Sequence, residues 1–460
     1  MTIDDEQRAA LERAFAHAVE HLQRLDSAHV AATTDLATLR ARMMKPLGDD
    51  PMPAAQVIDE LAADARGGIT GTAGGRFFAW VVGGAVPAAL AADWLTSAWD
   101  QNAGMYAAAP AAAIAEEACG AWLKDLLGLP AEASFALVTG CQMAHVVCLA
   151  AARHGVLRDA GWDVEERGLF GAPPIRIVSG CERHGSTSRA IRLLGLGKAS
   201  VVDLPVDDDG QLRPDTLAAE LRRGGGGPGI VLLQAGELNT GAYDAFTEMI
   251  PIAKEHGAWV HVDGAFGLWA AASERLRPLT RGVERADSWA TDGHKWLNVP
   301  YDCGYAFVRD RAAHRASMCH AESYLGLTAG AREQMEWNPE WSRRARGFPT
   351  YAALRQLGRR GVAELIERCC DLARALVLGI GALPGAEVVR APLINQGLVR
   401  FPGRDTDLVI AKIVASGEAF FGGTTWRGHR CMRVSVVNWR TSEADVARVI
   451  AAVDKALRET

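Results

Sequence analysis

The chain has 460 residues, 49% of them hydrophobic and 23% charged, and carries a formal net charge of −6. That length exceeds a single compact core, so two or three packed units are expected, and the slight acidic balance argues against nucleic acid or an anionic membrane as partner. Nine cysteines without CxxC spacing are expected to be reduced thiols, in keeping with a cytoplasmic protein.

The start, MTIDDEQRAALERAF, is acidic and polar, unlike a signal peptide. Apolar residues at helical spacing (Leu11, Ala14, Phe15, Val19, Leu22, Leu25) predict a helical arm within about 4–47. The stretch DDPMP at 49–53 breaks it, and a short helix is expected over 53–63. The longest uncharged run, 77–92, contains Gly83, Gly84 and Pro87. It falls short of the roughly 20 residues that a membrane helix needs, and reads as a buried element. Helices follow over 87–99 and 110–127.

From there short apolar runs alternate with helices. Strands are expected at 135–138, 175–178, 200–204, 230–234, 259–262, 288–291 and 305–308, with helices over 143–154, 188–194, 214–221 and 246–256. This pattern predicts an α/β domain around a mostly parallel seven-stranded sheet covered on both faces. The glycine tract 224–227 precedes its strand, whereas a phosphate loop follows one, so it reads as a plain loop. A helical stretch over 344–378 leads into a smaller α+β unit. Strands are expected there at 387–389, 397–401 and 430–436, and helices near 405–415 and over 442–457. The last helix opens with a capping-box pattern, Ser442 to Asp445. The division expected is an N-terminal helical arm (1–75), a large α/β domain (76–330) and a small C-terminal domain (331–460).

Two stretches carry the chemistry: WVHVDGAFGLW (259–269) and DSWATDGHKWLNVPYDCGYAFV (287–308). Asp263 stands at the carboxyl end of a strand, the edge where open α/β sheets bind ligands. Lys295 follows the next strand and is flanked by His294 and Trp296. An aspartate at a strand end is commonly a helix cap, and a lone lysine is commonly a surface charge. The pair on consecutive edge loops is what is informative. Such a lysine is a candidate Schiff-base amine, and such an aspartate can keep a pyridine nitrogen protonated.

HVDGAFG and DGHKW resemble the group II amino-acid decarboxylases that depend on pyridoxal 5′-phosphate (PLP), the aromatic amino-acid, histidine and glutamate decarboxylases. The resemblance runs from about Phe77 to the C-terminus. It implies the PLP-dependent transferase fold of type I, the fold of aspartate aminotransferase. It implies that Lys295 carries the internal aldimine, that Asp263 pairs with the pyridine nitrogen and that Ala265 packs under the ring. His184, in CERHGSTSRAIRLLGLG, matches the histidine that stacks on the other ring face. Gly140, Cys141 and Gln142, between a strand and a helix, match the phosphate loop, where amides at a helix N-terminus favour an anion. His294 is a second phosphate-side candidate. Tyr324, in CHAESYLGLTAG, is 29 residues past Lys295 and matches a loop tyrosine that returns a proton to the substrate carbon.

Departures from the family bear on the substrate. GELNTGAYD (236–244) stands where the family reads GTTNTGAFD. Asn239 is kept as a cofactor-binding position, while Glu237 and Leu238 replace hydroxyl residues. Gly83 stands where the family has a threonine, and DQNAGMYAAAP (100–110) replaces a pocket segment. Trp426 and Arg427 precede a C-terminal strand, where an arginine can clamp a carboxylate.

The expected reaction is decarboxylation of an L-amino acid to its amine through a quinonoid intermediate. Oxidative deamination to an aldehyde, transamination or another lyase reaction are the alternatives within PLP chemistry. A non-catalytic binding protein of this fold would be expected to lose Lys295 or Asp263. The resemblance also implies a homodimer. No metal is expected, because His184, His294 and His320 lack ligand spacing.

Overall fold

Runs of five or so apolar residues lose least when both faces of a strand are covered, and here they form the central sheet. The computed structural model describes residues 3–224, 226–320 and 328–460. Its first seven strands are β1 (Ser134–Val138), β2 (Arg176–Gly180), β3 (Val201–Leu204), β4 (Gly229–Gln234), β5 (Trp259–Asp263), β6 (Ser288–Asp292) and β7 (Gly304–Val308). They lie in the order β1-β7-β6-β5-β4-β2-β3. The pairs from β3 to β6 are parallel, and β7 runs antiparallel to both its neighbours. The reversal at β7 has a local cause. Only a wide turn, Gly293–Leu297, and the segment 298–303 connect β6 to β7, too little chain for a crossover helix.

Alternate residues of each strand enter different cores. Val231, Leu233, Val260, Val262 and Trp289 pack with the helices Phe246–Glu255 and Gly347–Gly381. Ile177, Ile230, Leu232 and Ala306 pack with the helices Cys141–Asp159 and Gly185–Leu193. Both faces are therefore dry, and the sheet's edge is where polar groups gather.

The C-terminal unit holds β8 (Glu387–Arg390), β9 (Gln396–Arg400), β10 (Gly422–Trp426) and β11 (His429–Ser435), antiparallel in the order β10-β11-β9-β8. The helices Thr406–Ser416 and Glu443–Arg458 accompany it, and the second begins with the expected Ser442–Asp445 capping box. At the N-terminus the expected arm divides into the helices Ile3–Arg24 and Leu36–Met43, and Ala54–Asp64 follows. Asp59 clasps the first and third of these by accepting from Arg13 and pairing with His17, each at 2.7 Å. Among the described residues no helix is long and apolar enough to cross a membrane.

Candidate active site

The carboxyl ends of β5 and β6 and the start of the helix after β1 converge at one edge of the sheet. Lys295 lies in the turn that leaves β6, and its Nζ is 3.0 Å from Oδ2 of Asp292, the last residue of that strand. The other oxygen, Oδ1, accepts the Cys141 amide at 2.5 Å and lies 3.4 Å from His294 Nε2. His294 Nδ1 accepts the Cys303 amide at 3.1 Å, and its ring stacks on Tyr301 at 4.4 Å. One buried carboxylate thus anchors the lysine, its histidine neighbour and the helix start. Burial pushes the Lys295 pKa down, but Asp292, Cys141 and Asp263 together outweigh it and the net shift is upward.

Asp263 ends β5 with both oxygens occupied. Oδ1 accepts the Ala265 amide at 3.1 Å. Oδ2 accepts from Thr187 Oγ1 at 3.2 Å and lies 3.3 Å from His145 Nε2. Burial would raise this carboxyl, but His145, then His184 and Lys295, hold it well below the usual range. His184 caps the helix Gly185–Leu193, with Nδ1 accepting the Ser186 amide at 3.3 Å. Surrounding protein lowers its pKa, although part of the residue stays exposed, and the charges of Asp263 and Lys295 both act on it. Lys295 and Asp263 thus stand at the ends of neighbouring strands, and the charges of both reach His184.

Gly140 stands at the N-cap of the helix Cys141–Asp159 and offers no side chain to cap it. The Cys141 amide is taken by Asp292, so the remaining first-turn amides are left for another acceptor. The Gln142 side chain accepts from Arg189 at 3.4 Å. Gly83 has a steric reason for replacing threonine: a Cβ there would lie 2.1 Å from the Lys295 carbonyl oxygen. Asn239 is engaged elsewhere, donating to Glu237 at 2.9 Å and accepting from Thr424 at 3.0 Å. Arg427 pairs with Glu182 at 3.6 Å and donates to the Asp207 carbonyl. Tyr324 lies outside the described residues.

Two residues not singled out in the sequence belong to this edge. His145 faces Asp263 from the first turns of its helix. Its Nε2, Cys141 Sγ and an Asp263 oxygen lie within 4.8 Å of one another, a spacing that hydrogen bonding accounts for. Arg433, on β11, is 7% exposed and its guanidinium makes no hydrogen bond or ion pair among the described residues. Burial lowers its pKa to about 10 against the opposing charge of Glu237, and its own charge reaches His184. A lone charged residue inside the apolar run CMRVSVV was the available signal.

This donor set fits PLP. An aldehyde requires an amine, a ring nitrogen that is to stay protonated requires a carboxylate, and a phosphate requires unpaired amides. This edge of the sheet holds all three.

Residues 38–402 match the model of the pyridoxal-dependent decarboxylase conserved domain. The chain is 25% identical, over 96% of its own length and 93% of the relative's, to an aromatic-L-amino-acid decarboxylase of Bacillus atrophaeus. It is 28% identical, over 82% and 76%, to an L-2,4-diaminobutyrate decarboxylase of Rhizobium meliloti (strain 1021). Its fold superimposes on that of the Oryza sativa TDC solved with PLP and tryptamine with a TM-score of 0.92, covering 100% of this chain and 99% of that one at 23% identity. The chain belongs to the pyridoxal-dependent decarboxylase family, whose cofactor is pyridoxal 5′-phosphate.

Proposed function

We propose that this protein decarboxylates an L-amino acid and releases the corresponding amine, with Lys295 as the cofactor's point of attachment. The observation that carries this reading is that Asp263 and the Asp292-held Lys295 stand at the carboxyl ends of two neighbouring parallel strands. When bound, PLP supplies an aldehyde that captures amines and a protonated ring that takes up the electron pair of a breaking Cα–carboxylate bond.

The chain's own residues do the rest. Asp292 holds the Lys295 amine at the mouth of the turn, 3.0 Å away. Asp263, kept ionised by its donors, would pair with the ring nitrogen and hold a proton there. His184 and Ala265 would hold the ring, and the helix start at Gly140, Cys141 and Gln142 would hold the phosphate. His294 supports that side through Asp292. Asn239, the remaining cofactor-binding candidate, is held by Glu237 and Thr424 and would have to leave them to reach the cofactor. Arg433 receives a carboxylate of the substrate, which its unpaired guanidinium in a nearly dry setting favours. Tyr324 returns the proton to the substrate carbon.

The working form is a homodimer. Trp94, Leu95 and Trp99 on the helix Pro87–Trp99, with Leu11 and Phe15 on the first helix, leave apolar surface between 41% and 59% exposed, which a second copy would cover.

The test is incubation of the purified holoenzyme with a panel of amino acids, measuring CO₂, amine, aldehyde and keto acid together. Amine and CO₂ in equal amounts from at least one substrate support the reading. Keto acid, or aldehyde without amine, from every reactive substrate contradicts it.

A further inference from the structure

A continuous row of hydrogen-bonding groups runs from Asp263 into the dry side of the sheet. His145 Nε2 is 3.3 Å from Asp263 Oδ2. His145 Nδ1 is 2.9 Å from His261 Nε2. His261 Nδ1 is 2.9 Å from Ser288 Oγ, which accepts from Trp259 Nε1 at 2.9 Å. Both imidazoles are fully buried and their rings meet edge to face.

The two ends of this row have fixed polarity. An indole nitrogen only donates, and an ionised carboxylate only accepts. With one proton on each ring the carboxylate end sets a single direction, and the serine, accepting from Trp259, still has its proton to give. Ser288 donates to His261 Nδ1, His261 donates from Nε2 to His145 Nδ1, and His145 donates from Nε2 to Asp263. Every link is satisfied with one proton on each ring. Burial and the neighbouring His145 lower the His261 pKa to about 3, in keeping with a single proton there.

We propose that His145 and His261 form a one-way hydrogen-bond relay, locked as Nε2–H tautomers, that delivers a permanent donor to Asp263. His145 is in this sense a positioning residue. It touches neither substrate nor cofactor, and acts by keeping the carboxylate ionised and aimed. The other groups facing His145 are Cys141 Sγ and Thr187 Oγ1, each 3.4 Å from its Nε2. Neither competes as a donor to its Nδ1. Cys148 is the titratable neighbour of Ser288, and burial raises its thiol well above the usual range, so it adds no charge to the row.

The proposal rests on Asp263 being the carboxylate opposite the ring nitrogen, so its test has an arm independent of the cofactor. Histidine ¹⁵N spectra of the cofactor-free protein at pH 7.5, assigned with the His145→Leu and His261→Leu variants, should show both residues as Nε2–H tautomers. An Nδ1–H tautomer at either, or a doubly protonated His145, overturns the relay whatever Asp263 does. In the holoenzyme, His145→Leu should weaken PLP binding by about tenfold or more, the worth of a hydrogen bond to a charged group. His145→Gln, which keeps an N–H near the same place, should recover most of that loss. Equal losses in the two variants, or no loss in either, overturn the proposal. Asp263→Asn with unchanged PLP binding would instead refute the reading of Asp263 and leave the tautomer result standing.

Discussion

The ammonium of Lys295 lies 3.0 Å from Oδ2 of Asp292, three residues earlier in the chain, while Oδ1 of the same carboxylate accepts the Cys141 amide at 2.5 Å. The lysine is thus fastened to the helix start, and its proton is held by a charge that burial alone would not supply. Only the neutral amine attacks an aldehyde. Replacing Asp292 by Asn leaves burial dominant and lowers the lysine pKa. The rate at which cofactor-free protein captures added PLP, followed by absorbance from pH 6 to 9, should then rise at a lower pH, by about one unit or more. An unshifted profile would show that Asp292 does not control the amine.

Arg433 tests recognition of the substrate. The side chain is largely buried, the residue being 7% exposed, so Arg433→Met keeps the bulk and removes the charge. KM for the best substrate should rise about tenfold or more, the worth of a charge-assisted hydrogen bond. Cofactor absorbance should be retained. An unchanged KM would place the substrate carboxylate elsewhere.

Tyr324 carries the proton-return step in this account. Tyr324→Phe should lower amine formation by about a hundredfold or more, the usual range for a positioned general acid, and leave PLP bound. An unchanged amine yield removes the tyrosine from that role.

Buried histidines set the acid limit of the fold. His314 is fully buried between Ser134 Oγ at 2.8 Å and the Trp337 carbonyl at 2.9 Å. Burial, then the charge of Arg332, lowers its pKa from the ordinary 6.5 to about 3. The folded state therefore binds fewer protons than the unfolded chain between those values. The contribution of His314 is complete above pH 6.5 and is lost as pH falls toward 3. Urea unfolding should show stability dropping from pH 7 to 5. In His314→Gln the dependence between pH 5 and 6 should be shallower by up to about 1.4 kcal/mol per pH unit. Equal slopes would mean that His314 is not the group being titrated.

Much of this architecture was legible in the sequence, for identifiable reasons. Six of the seven sheet strands are short and buried along nearly their whole length, β3 at the edge being the exception, so the runs at 135–138 or 230–234 stand out against polar flanks. Lys295 and Asp263 were legible because strand ends in such sheets face the ligand edge. The reversal of β7 was not, since a run such as YAFV reads the same in either direction. β10 was missed because GGTTW has two glycines and alternates half-exposed with exposed positions until Trp426. His145 was missed for a different reason. Its role depends on His261 and Asp263, which lie more than a hundred residues away in sequence and meet it only once β5 is packed on the helix. Arg433 reaches the cleft only through the docking of the C-terminal sheet.

The proposed function requires PLP to be attached to Lys295. The most direct measurement is borohydride reduction of the holoenzyme followed by peptide mapping, with Lys295→Ala alongside. The wild type should carry a reduced pyridoxyl group on the peptide containing Lys295, and the variant should show neither the label nor the visible absorbance of the bound cofactor. A label on any other lysine of the wild type, or a reducible absorbance that persists in Lys295→Ala, would contradict the account.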